Sequence, residues 1–250
     1  MRKHLRALQT LFPFLHDFRF SLKLLSIKIF KTPHENDFNA LKMFNPDSTQ
    51  VFIDIGSNRG EGIQSTLIFS KFSNPIIGFE PNPLIFNKLK DYFISNKRVL
   101  VHNCGLGDAD QELSLFVPFY RKWMFDGLSS FKYDEAKNWL RTRLWGYKEQ
   151  LLSIKELNCK IRKLDDFQLN PYFIKIDVQG FELEVLNGGQ RTIATSRPIF
   201  LIETINHEVA SFLSQYDYDF FYFENGKLIK GEGKLNTFCI TPEKYRDLSN

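Results

Sequence analysis

The sequence is poor in cysteine, and it lacks any long apolar run. Cys104, Cys159 and Cys239 lie far apart without a Cys-x-x-Cys pair, which excludes a disulfide scaffold and a cysteine zinc site and suits a reducing compartment. No run approaches the ~20 apolar residues of a transmembrane helix. The early apolar segment is broken by Pro13 and is followed by no small-residue cleavage site, so no signal peptide is predicted. We therefore expect a cytoplasmic protein.

A strong excess of charge is also missing. The formal net charge is only +4 over 250 residues, and no basic stripe with interleaved aromatic residues is present, so we expect no nucleic-acid partner. The length fits one large α/β domain with ample chain to bury a core.

Two common nucleotide-binding patterns are absent as well. No Gly-Lys-Ser/Thr closes a phosphate loop, and no Gly-x-Gly-x-x-Gly is present. Instead, the apolar run 51–55 leads into a loop with Gly56 and Gly60, and helix-like sequence follows. Glycines let a ligand approach the backbone, and a helix N-terminus attracts carboxylate or phosphate. Because Asp54 and Glu61 would repel a pyrophosphate, the loop favours a zwitterion such as S-adenosylmethionine (SAM), although any α/β protein can contain a tight strand-to-helix turn.

The chain alternates between strand-like and helix-like segments, which predicts a mostly parallel sheet with right-handed crossovers. A final pair of strands around the Asn225-Gly226 hairpin signal completes the sheet antiparallel. The predicted strands are 51–55, 76–80, 99–103, 173–177, 198–203, 219–223 and 235–241.

Acidic residues end four of these strands: Asp54, Glu80, Asp177 and Glu203. Ligands of open parallel sheets bind beyond the carboxyl ends of the strands, so these side chains are candidate site residues. Glu80 is placed to accept hydrogen bonds from both hydroxyls of an adenosine ribose. For Asp177 and Glu203, a plain capping role is as common as catalysis.

Residues 111–168 interrupt the alternation with two strand-like segments, 112–117 and 128–133, and with an aromatic and arginine-rich stretch at 119–147. Two interpretations stay open, a cap over the substrate or a layer that shields a sheet edge. As a cap, the stretch predicts a glycan acceptor, because aromatic faces stack on sugars and arginines suit acidic groups. The residues in question include Trp123, Trp145, Arg121, Arg141 and Arg143.

Residues 1–45 form a basic, helix-like extension that precedes the predicted domain of residues 46–250. Residues 1–31 carry seven Lys/Arg against one acid, Asp17. Apolar residues lie on two sides of the predicted helix, so its amphipathic pattern is blurred. A basic amphipathic helix can contact a membrane surface, but a helix packed on the edge of its own domain is more common.

With these residues in hand, the chain resembles the FkbM family of SAM-dependent methyltransferases over about residues 45–242. The resemblance rests on FIDIGSNRG ending at Gly60, GFEPN at 78–82, NCGLGD at 103–108, and FIKIDVQGFELEVLNG at 173–188. The last stretch is the most specific one, because generic methyltransferases share only the first two.

The resemblance implies a class I SAM-methyltransferase fold. This is a Rossmann-like α/β sandwich, with a mostly parallel seven-stranded sheet, an antiparallel last strand and helices on both faces. It also implies SAM-dependent methyl transfer to a hydroxyl of a sugar, glycan or related natural product. The residues implied to hold the methionine part are Asp54, Gly56, Ser57, Asn58 and Gly60. Glu80 would hold the ribose, the segment from Asn103 to Leu106 would lie along the adenine, and Asp177 would face the acceptor.

Two positions depart from the family pattern. Ser57 stands where Ala is often found, and Gln179 stands where Glu is usual. Gln179 removes a charge beside Asp177 and weakens any carboxylate cluster for a divalent metal, so we predict no metal. The candidate general bases for the acceptor hydroxyl are Asp177, His207 and Glu203, in falling order. The alternatives are an NAD-dependent Rossmann oxidoreductase and a SAM-fold binding protein without catalysis.

Overall fold

The computed structural model describes residues 2–249, and side chains from Lys3 to Leu248. The first segment forms helices α1 (Arg2–Gln9) and α2 (Leu15–Phe30) and a 3-10 helix at Asn36–Met43. Helix α2 packs on α3 (Glu61–Phe69), the helix that follows the glycine loop. The N-terminal segment therefore lies against the centre of the predicted site. Met1 and Asn250, the outer ends of the predicted segments 1–45 and 46–250, lie outside the described residues.

The main sheet has eight strands. They are β1 (Val51–Ile55), β2 (Ile76–Phe79), β3 (Val99–His102), β8 (Pro171–Ile176), β9 (Ile199–Glu203), β10 (Asp219–Glu224), β11 (Lys227–Lys230) and β12 (Asn236–Ile240). The spatial order is β11-β10-β12-β9-β8-β1-β2-β3. All pairs from β3 to β9 are parallel, as the alternation of segments predicts.

The antiparallel end of the sheet differs from the prediction in strand number. β12 pairs antiparallel with both β9 and β10, which confirms the antiparallel last strand. β11 is an additional eighth strand, because the chain turns back at Asn225 and Gly226 and pairs β11 with β10. Both turn residues have positive φ, as a tight hairpin turn requires.

A second sheet occupies the interruption in the chain. It has the order β4-β7-β5-β6, built from β4 (Gly105–Leu106), β5 (Gln111–Tyr120), β6 (Trp123–Met124) and β7 (Leu152–Arg162). The strand expected at 112–117 is the centre of β5, but 128–133 forms only an isolated bridge between Ser130 and Phe116. Helix α5 (Tyr133–Asn138) lies between β6 and β7 in the chain.

Helices cover both faces of the main sheet. Phe52 of β1 lies in the core beneath α3 and α4 (Pro83–Phe93). Its neighbours Ile53 and Ile55 lie in the opposite core, beneath α6 (Glu182–Asn187), α7 (Gln190–Ser196) and α8 (His207–Ser214). The final helix α9 (Pro242–Ser249) packs on the first face through Leu248. Each buried large apolar side chain contributes about 1.5–3 kcal/mol, and this layered burial fixes the edge at which the strand ends meet.

Candidate functional site

The turn between β1 and α3 needs glycine at position 56 for two reasons. Gly56 has φ of +78°, and a Cβ on it would lie 1.9 Å from the carbonyl oxygen of Asp177. Side chains strongly disfavour such a φ, and no atom can approach that closely. The turn after β1 and the turn after β8 are therefore in direct backbone contact.

The amide groups of the glycine loop are bound within the protein. The N–H groups of Gly56 and Ser57 both donate to the carbonyl of Phe79 at 3.0 Å, and the N–H of Gly60 donates to Ser57. The N–H of Asn58 donates to Glu80 at 2.7 Å. These amides hold the loop in place and are not free to receive a ligand carboxylate. The side-chain oxygen of Asn58, by contrast, is buried without a hydrogen-bond partner among the described residues.

Glu80, directly after β2, connects the glycine loop to the next turn. One carboxylate oxygen accepts from the Asn58 N–H and the other from the Asn82 N–H, at 2.7 and 2.8 Å. Asn82 in turn caps α4 by accepting from the N–H of Leu84, as the Asn-Pro sequence predicts. Burial raises the pKa of Glu80 to about 7, against the lowering effect of the two amides.

A cavity of about 260 Å³ opens at the carboxyl ends of the parallel strands. Six of the predicted site residues lie on its wall: Gly56, Asn58, Glu80, Leu106, Asp177 and Glu203. Gly56 and Asn58 follow β1, Glu80 follows β2 and Asp177 follows β8, while Glu203 ends β9 and Leu106 ends β4. The fold therefore brings together six of the predicted site residues.

Five predicted site residues do not lie on this wall: Asp54, Ser57, Gly60, Asn103 and His207. Ser57 donates to the Asp54 carbonyl and tightens the loop. Gly60 is the N-cap of α3 with φ of +88°. The amide of Asn103 donates to the backbone carbonyls of residues 80 and 81 rather than facing a ligand. These contacts are structural supports for the wall.

Asp54 lies behind the loop, against the first turn of α3, where a Cβ on Gly62 would be 2.8 Å from its carboxylate. Both carboxylate oxygens are buried without a partner among the described residues. Burial raises the pKa of Asp54 to about 6, although Lys175 on the neighbouring strand opposes this. Asp54 therefore lies behind the glycine loop and does not itself line the cavity.

The far end of the cavity carries a pair of linked carboxyl groups. Asp177 accepts from the buried ammonium of Lys175 and from the Gln179 amide, both at 3.0 Å. The same amide lies 3.4 Å from Glu203. Burial opposes ionisation of Asp177, but Lys175 and the hydrogen bonds from Glu203 and Gln179 outweigh burial and lower its pKa. The hydrogen bond to Asp177, with burial, raises the pKa of Glu203.

These pKa directions change the ranking of the candidate bases. The ammonium of Lys175 and the amide of Gln179 stabilise the ionised form of Asp177 and lower its pKa, whereas the hydrogen bond to Asp177 and burial raise the pKa of Glu203. His207 is exposed at the start of α8, and its ring contacts Ser211 at 3.5 Å. Asp177 and Glu203 lie on the cavity wall, whereas His207 does not.

Gln179 has a clear role despite its departure from the family pattern. Its φ of +53° is strained for a residue other than glycine, and its amide bridges Asp177 and Glu203. A glutamate here would add a third carboxyl group to the pair. Thr204, directly after Glu203, also has positive φ, so backbone strain accumulates at this end of the cavity.

Two wall residues from the N-terminal segment were not predicted from the sequence. His34 and Glu35 reach the same end of the cavity from the link between α2 and the 3-10 helix. The backbone N–H of His34 donates to Ser65 of α3, and Glu35 accepts from Asn236 of β12. The imidazole makes no hydrogen bond within the described residues, and its Nδ1 is buried. A histidine beside a glutamate after Thr32-Pro33 was the only cue available in the sequence.

The interruption in the chain does form part of the cavity, but not through its tryptophans or arginines. Leu115, Phe131 and the turn 126–129 line the wall. Trp123 packs on His16 of α2 at 4.7 Å between ring centres, and Trp145 is 63% exposed beside His4. Arg143 stacks on Trp139, Arg141 pairs with Glu149, and Arg121 lies in the turn after β5. None of these tryptophans and arginines lies on the cavity wall, so a contact between them and the acceptor stays a prediction.

Asp126 of this segment belongs to an ion-pair network around the buried guanidinium of Arg59. Arg59, which is 6% exposed, donates to Asp126 at 2.5 Å and to Asp17 of α2 at 2.8 Å. Its NH2 group also lies 3.0 Å from His16. The network joins the glycine loop to the N-terminal helices and to the second sheet.

The cavity wall is acidic. Glu35, Glu80, Asp126, Asp177 and Glu203 lie on it, and no described lysine or arginine does. Arg59 and Lys175 balance two of these acids from behind. Among residues 2–249 no group of three or more His, Cys, Asp or Glu is arranged to hold a metal ion. Within the same residues no helix has the length and apolarity to cross a membrane.

A family model, the methyltransferase FkbM domain, matches residues 54–220. No curated protein matches the chain. A solved structure of a methyltransferase FkbM from Methylobacillus flagellatus is 17% identical with a TM-score of 0.49, over 86% of this chain and 52% of its own length. The present chain thus spans about half of that protein.

A second solved structure, precorrin-6y C5,15-methyltransferase from Geobacter metallireducens, is 10% identical with a TM-score of 0.41, over 81% of this chain and 85% of its own. Neither structural likeness is high enough to carry a functional argument. The family model matches well over half of the sequence, and the matched segment includes the glycine loop, Glu80 and the Asp177 turn. The chain belongs to the FkbM methyltransferase family.

Proposed function

We propose that the protein transfers a methyl group from SAM to a hydroxyl of a sugar, glycan or related natural product. The observation that carries the proposal is one continuous cavity. It extends from the glycine loop and Glu80 to Asp177, Glu203 and His34, so that a cofactor and an acceptor can meet inside it.

The residues at the glycine-loop end fit SAM. The unpartnered Asn58 side-chain oxygen is an acceptor for the ammonium of the methionine part. Glu80 has acceptor capacity beyond its two backbone amides for the ribose hydroxyls. Gly105 and Leu106 offer an apolar wall for the adenine. When bound, SAM supplies an electrophilic methyl group on a sulfonium.

The lack of a lysine or arginine on the described wall favours SAM over a dinucleotide. A sulfonium and an ammonium are cationic, whereas NAD carries a pyrophosphate. Two like charges about 4 Å apart repel by roughly 4 kcal/mol at an effective dielectric constant of about 20. With no lysine or arginine on the described wall, a pyrophosphate would find no compensating charge. The same reasoning favours a neutral acceptor over a phosphorylated or acidic one.

His34 is the residue that we propose as general base. Burial lowers its pKa, an effect that Lys23 reinforces and Glu61 and Glu35 oppose, so the ring is neutral at pH 7. His34 would take up the acceptor's hydroxyl proton on a nitrogen of its imidazole while the acceptor oxygen displaces S-adenosylhomocysteine from the methyl carbon. Asp177 and Glu203 would orient the acceptor by hydrogen bonds, with Gln179 holding the pair together.

Titration calorimetry with SAM and with NAD tests the cofactor. We expect micromolar-range binding of SAM and none of NAD, and Glu80→Ala should weaken SAM binding at least tenfold, since hydrogen bonds to charged groups contribute about 1.5–3 kcal/mol each. NAD binding would favour the oxidoreductase, and a chain that binds neither would be a scaffold. Binding of SAM without turnover of any hydroxyl acceptor would favour the non-catalytic binding protein.

A double-mutant cycle separates the ribose contact from the loop contact of Glu80. S-adenosylhomocysteine and its 2′-deoxyribose analogue are compared on the wild type and on Glu80→Ala. If Glu80 holds the ribose, removal of the hydroxyl weakens binding to the wild type and has little effect on the variant. Equal losses in both proteins would show that Glu80 only supports the loop.

A further inference from the structure

The N-terminal helices expose an unusual amount of apolar surface. Of the seventeen large hydrophobic residues that are exposed in the described chain, eleven lie between positions 5 and 30. Phe14 and Phe30 are 76% and 74% exposed. We call this set the outer face; it comprises Leu5, Leu8, Leu11, Phe12, Phe14, Leu15, Phe18, Leu22, Leu25, Ile29 and Phe30. Soluble monomers rarely leave such a contiguous patch in water.

Helix α2 has two apolar sides, which explains its blurred pattern. Leu24 and Ile27 are buried against the domain, while Leu15, Phe18 and Leu22 recur at helical spacing on the side that faces away. Packing on the domain therefore buries only one apolar side of the helix. An apolar groove of about 380 Å³ lies between α1 and α2, with Trp123 on its wall.

The charges around the outer face are positive. Five basic residues of α1, α2 and the residue after it make no ion pair within the described chain: Lys3, Arg6, Arg19, Lys28 and Lys31. Lys23 is paired with Glu61. Asp17, the single acid of residues 1–31, is occupied by Arg59 and Lys88. An apolar surface bordered by unpaired cations is complementary to anionic lipid headgroups over an acyl layer.

We propose that the outer face docks on the surface of an anionic lipid bilayer, with α1 and α2 lying in the plane of the interface. A second copy of the chain is a poorer occupant, since apposed outer faces would bring two sets of unpaired cations together. The docked helices would stay attached to the domain through Leu24, Ile27 and the Arg59 network.

Vesicle flotation of the full chain tests this proposal. We expect the protein to float with phosphatidylcholine vesicles that contain phosphatidylserine, and to float far less with phosphatidylcholine alone or at high salt. Phe18→Glu combined with Leu22→Glu should reduce binding by at least about tenfold. Ile94→Glu is the matched control, because Ile94 is 73% exposed at the end of α4 and is not part of the outer face.

Charge is tested separately. Lys28→Glu should weaken binding to anionic vesicles about fivefold or more, since each basic residue near such a surface contributes about 1 kcal/mol. Lys97→Glu, an exposed lysine before β3, should leave binding unchanged. Circular dichroism and SAM binding of all variants check that the domain is intact.

Two results would overturn the proposal. One is a wild-type chain that stays in solution with every vesicle, or that binds neutral and anionic vesicles equally. The other is a wild-type dimer that Phe18→Glu with Leu22→Glu converts to a monomer without any vesicle binding in either form, which would make the outer face a contact between two copies.

Discussion

The two ends of the cavity are built in different ways. At the glycine-loop end, the backbone makes the site: Gly56, Ser57 and Asn58 are fixed by bonds of 2.7–3.0 Å to Phe79 and Glu80. At the opposite end, side chains make it, and they come from the N-terminal link, the turn after β8 and the end of β9. The geometry of the first end is set by the turns after β1 and β2, whereas that of the second is set by contacts between segments that lie far apart in the chain.

This difference predicts different sensitivities to mutation. Changes at the glycine-loop end should alter backbone geometry, and therefore affect cofactor binding and stability together. Changes at the opposite end should remove one chemical group and leave the fold and the cofactor affinity almost intact. Mutations at each end test whether the two ends can be separated in this way.

The largest effect is expected from Gly56→Ala. The added methyl group would meet the carbonyl of Asp177 at 1.9 Å and would also strain a φ of +78°. We expect SAM binding to be lost in calorimetry and unfolding to become easier by about 3 kcal/mol or more, the sum of backbone strain and overpacking.

Gly226→Ala is the control for backbone strain alone. Gly226 has φ of +79° with no atom within 4 Å of an added Cβ. It should lose only about 1–2 kcal/mol of stability and bind SAM normally. If the two variants behave alike, contact between the loop and the Asp177 turn does not define this end of the cavity.

An intermediate effect is expected from His34→Gln. Loss of a general base lowers turnover by about 10²–10⁴-fold, whereas the affinity for SAM should change less than about twofold. Single-turnover methylation with the acceptor and calorimetry with SAM measure the two quantities.

His207→Gln is the matched substitution at an exposed histidine of α8, and it should be silent in both assays. A His34→Gln variant with normal turnover would remove His34 from the mechanism. Loss of SAM affinity in that variant would instead show that the two ends of the cavity are not separable.

The smallest effect is a pH dependence. Burial lowers the pKa of His34 below its usual value of 6.5, with Lys23 and Lys175 acting in the same direction and Glu61 and Glu35 opposing them. Asp177 and Glu203 face the same part of the cavity. His34 accepts a proton only when neutral, so kcat/KM should be constant above this pKa and fall up to tenfold per pH unit below it.

His34→Gln supplies the reference profile. The acid limb that is due to His34 should be missing from the residual activity of the variant. An unchanged acid limb would assign the titration to another group, such as the Asp177–Glu203 pair.

Much of the fold could be predicted from the sequence because its signals are local. The run 51–55, the Asn82-Pro83 helix start and the Asn225-Gly226 turn each specify a conformation within a few residues. The eighth strand, β11, has little strand signal of its own, because it is four residues long and begins and ends with lysine. β7 was missed because it is mostly exposed and polar, so it lacks the apolar pattern of a buried strand.

The sequence predicts those site residues that directly follow strands of the parallel sheet. Gly56, Glu80 and Asp177 follow strands of one parallel sheet, and topology alone brings them to one edge. His34 reaches that edge through the packing of α2 on α3, and no local pattern encodes this contact. Composition indicates that Trp123 and Trp145 offer stacking surfaces, but it does not indicate that they pack beside His16 and His4.

Arg59 has a consequence for what counts as a domain in this protein. The family segment begins at residue 54, yet the guanidinium of Arg59 lies buried between Asp126 inside that segment and Asp17 outside it. A protein shortened to the family segment would lose Asp17 and the aromatic ring of Phe20 that covers Arg59, and with them His34. For a fold whose net stability is only about 5–15 kcal/mol, a partly unpaired buried charge is a serious loss. The segment that matches the family is therefore shorter than the unit that packs around Arg59.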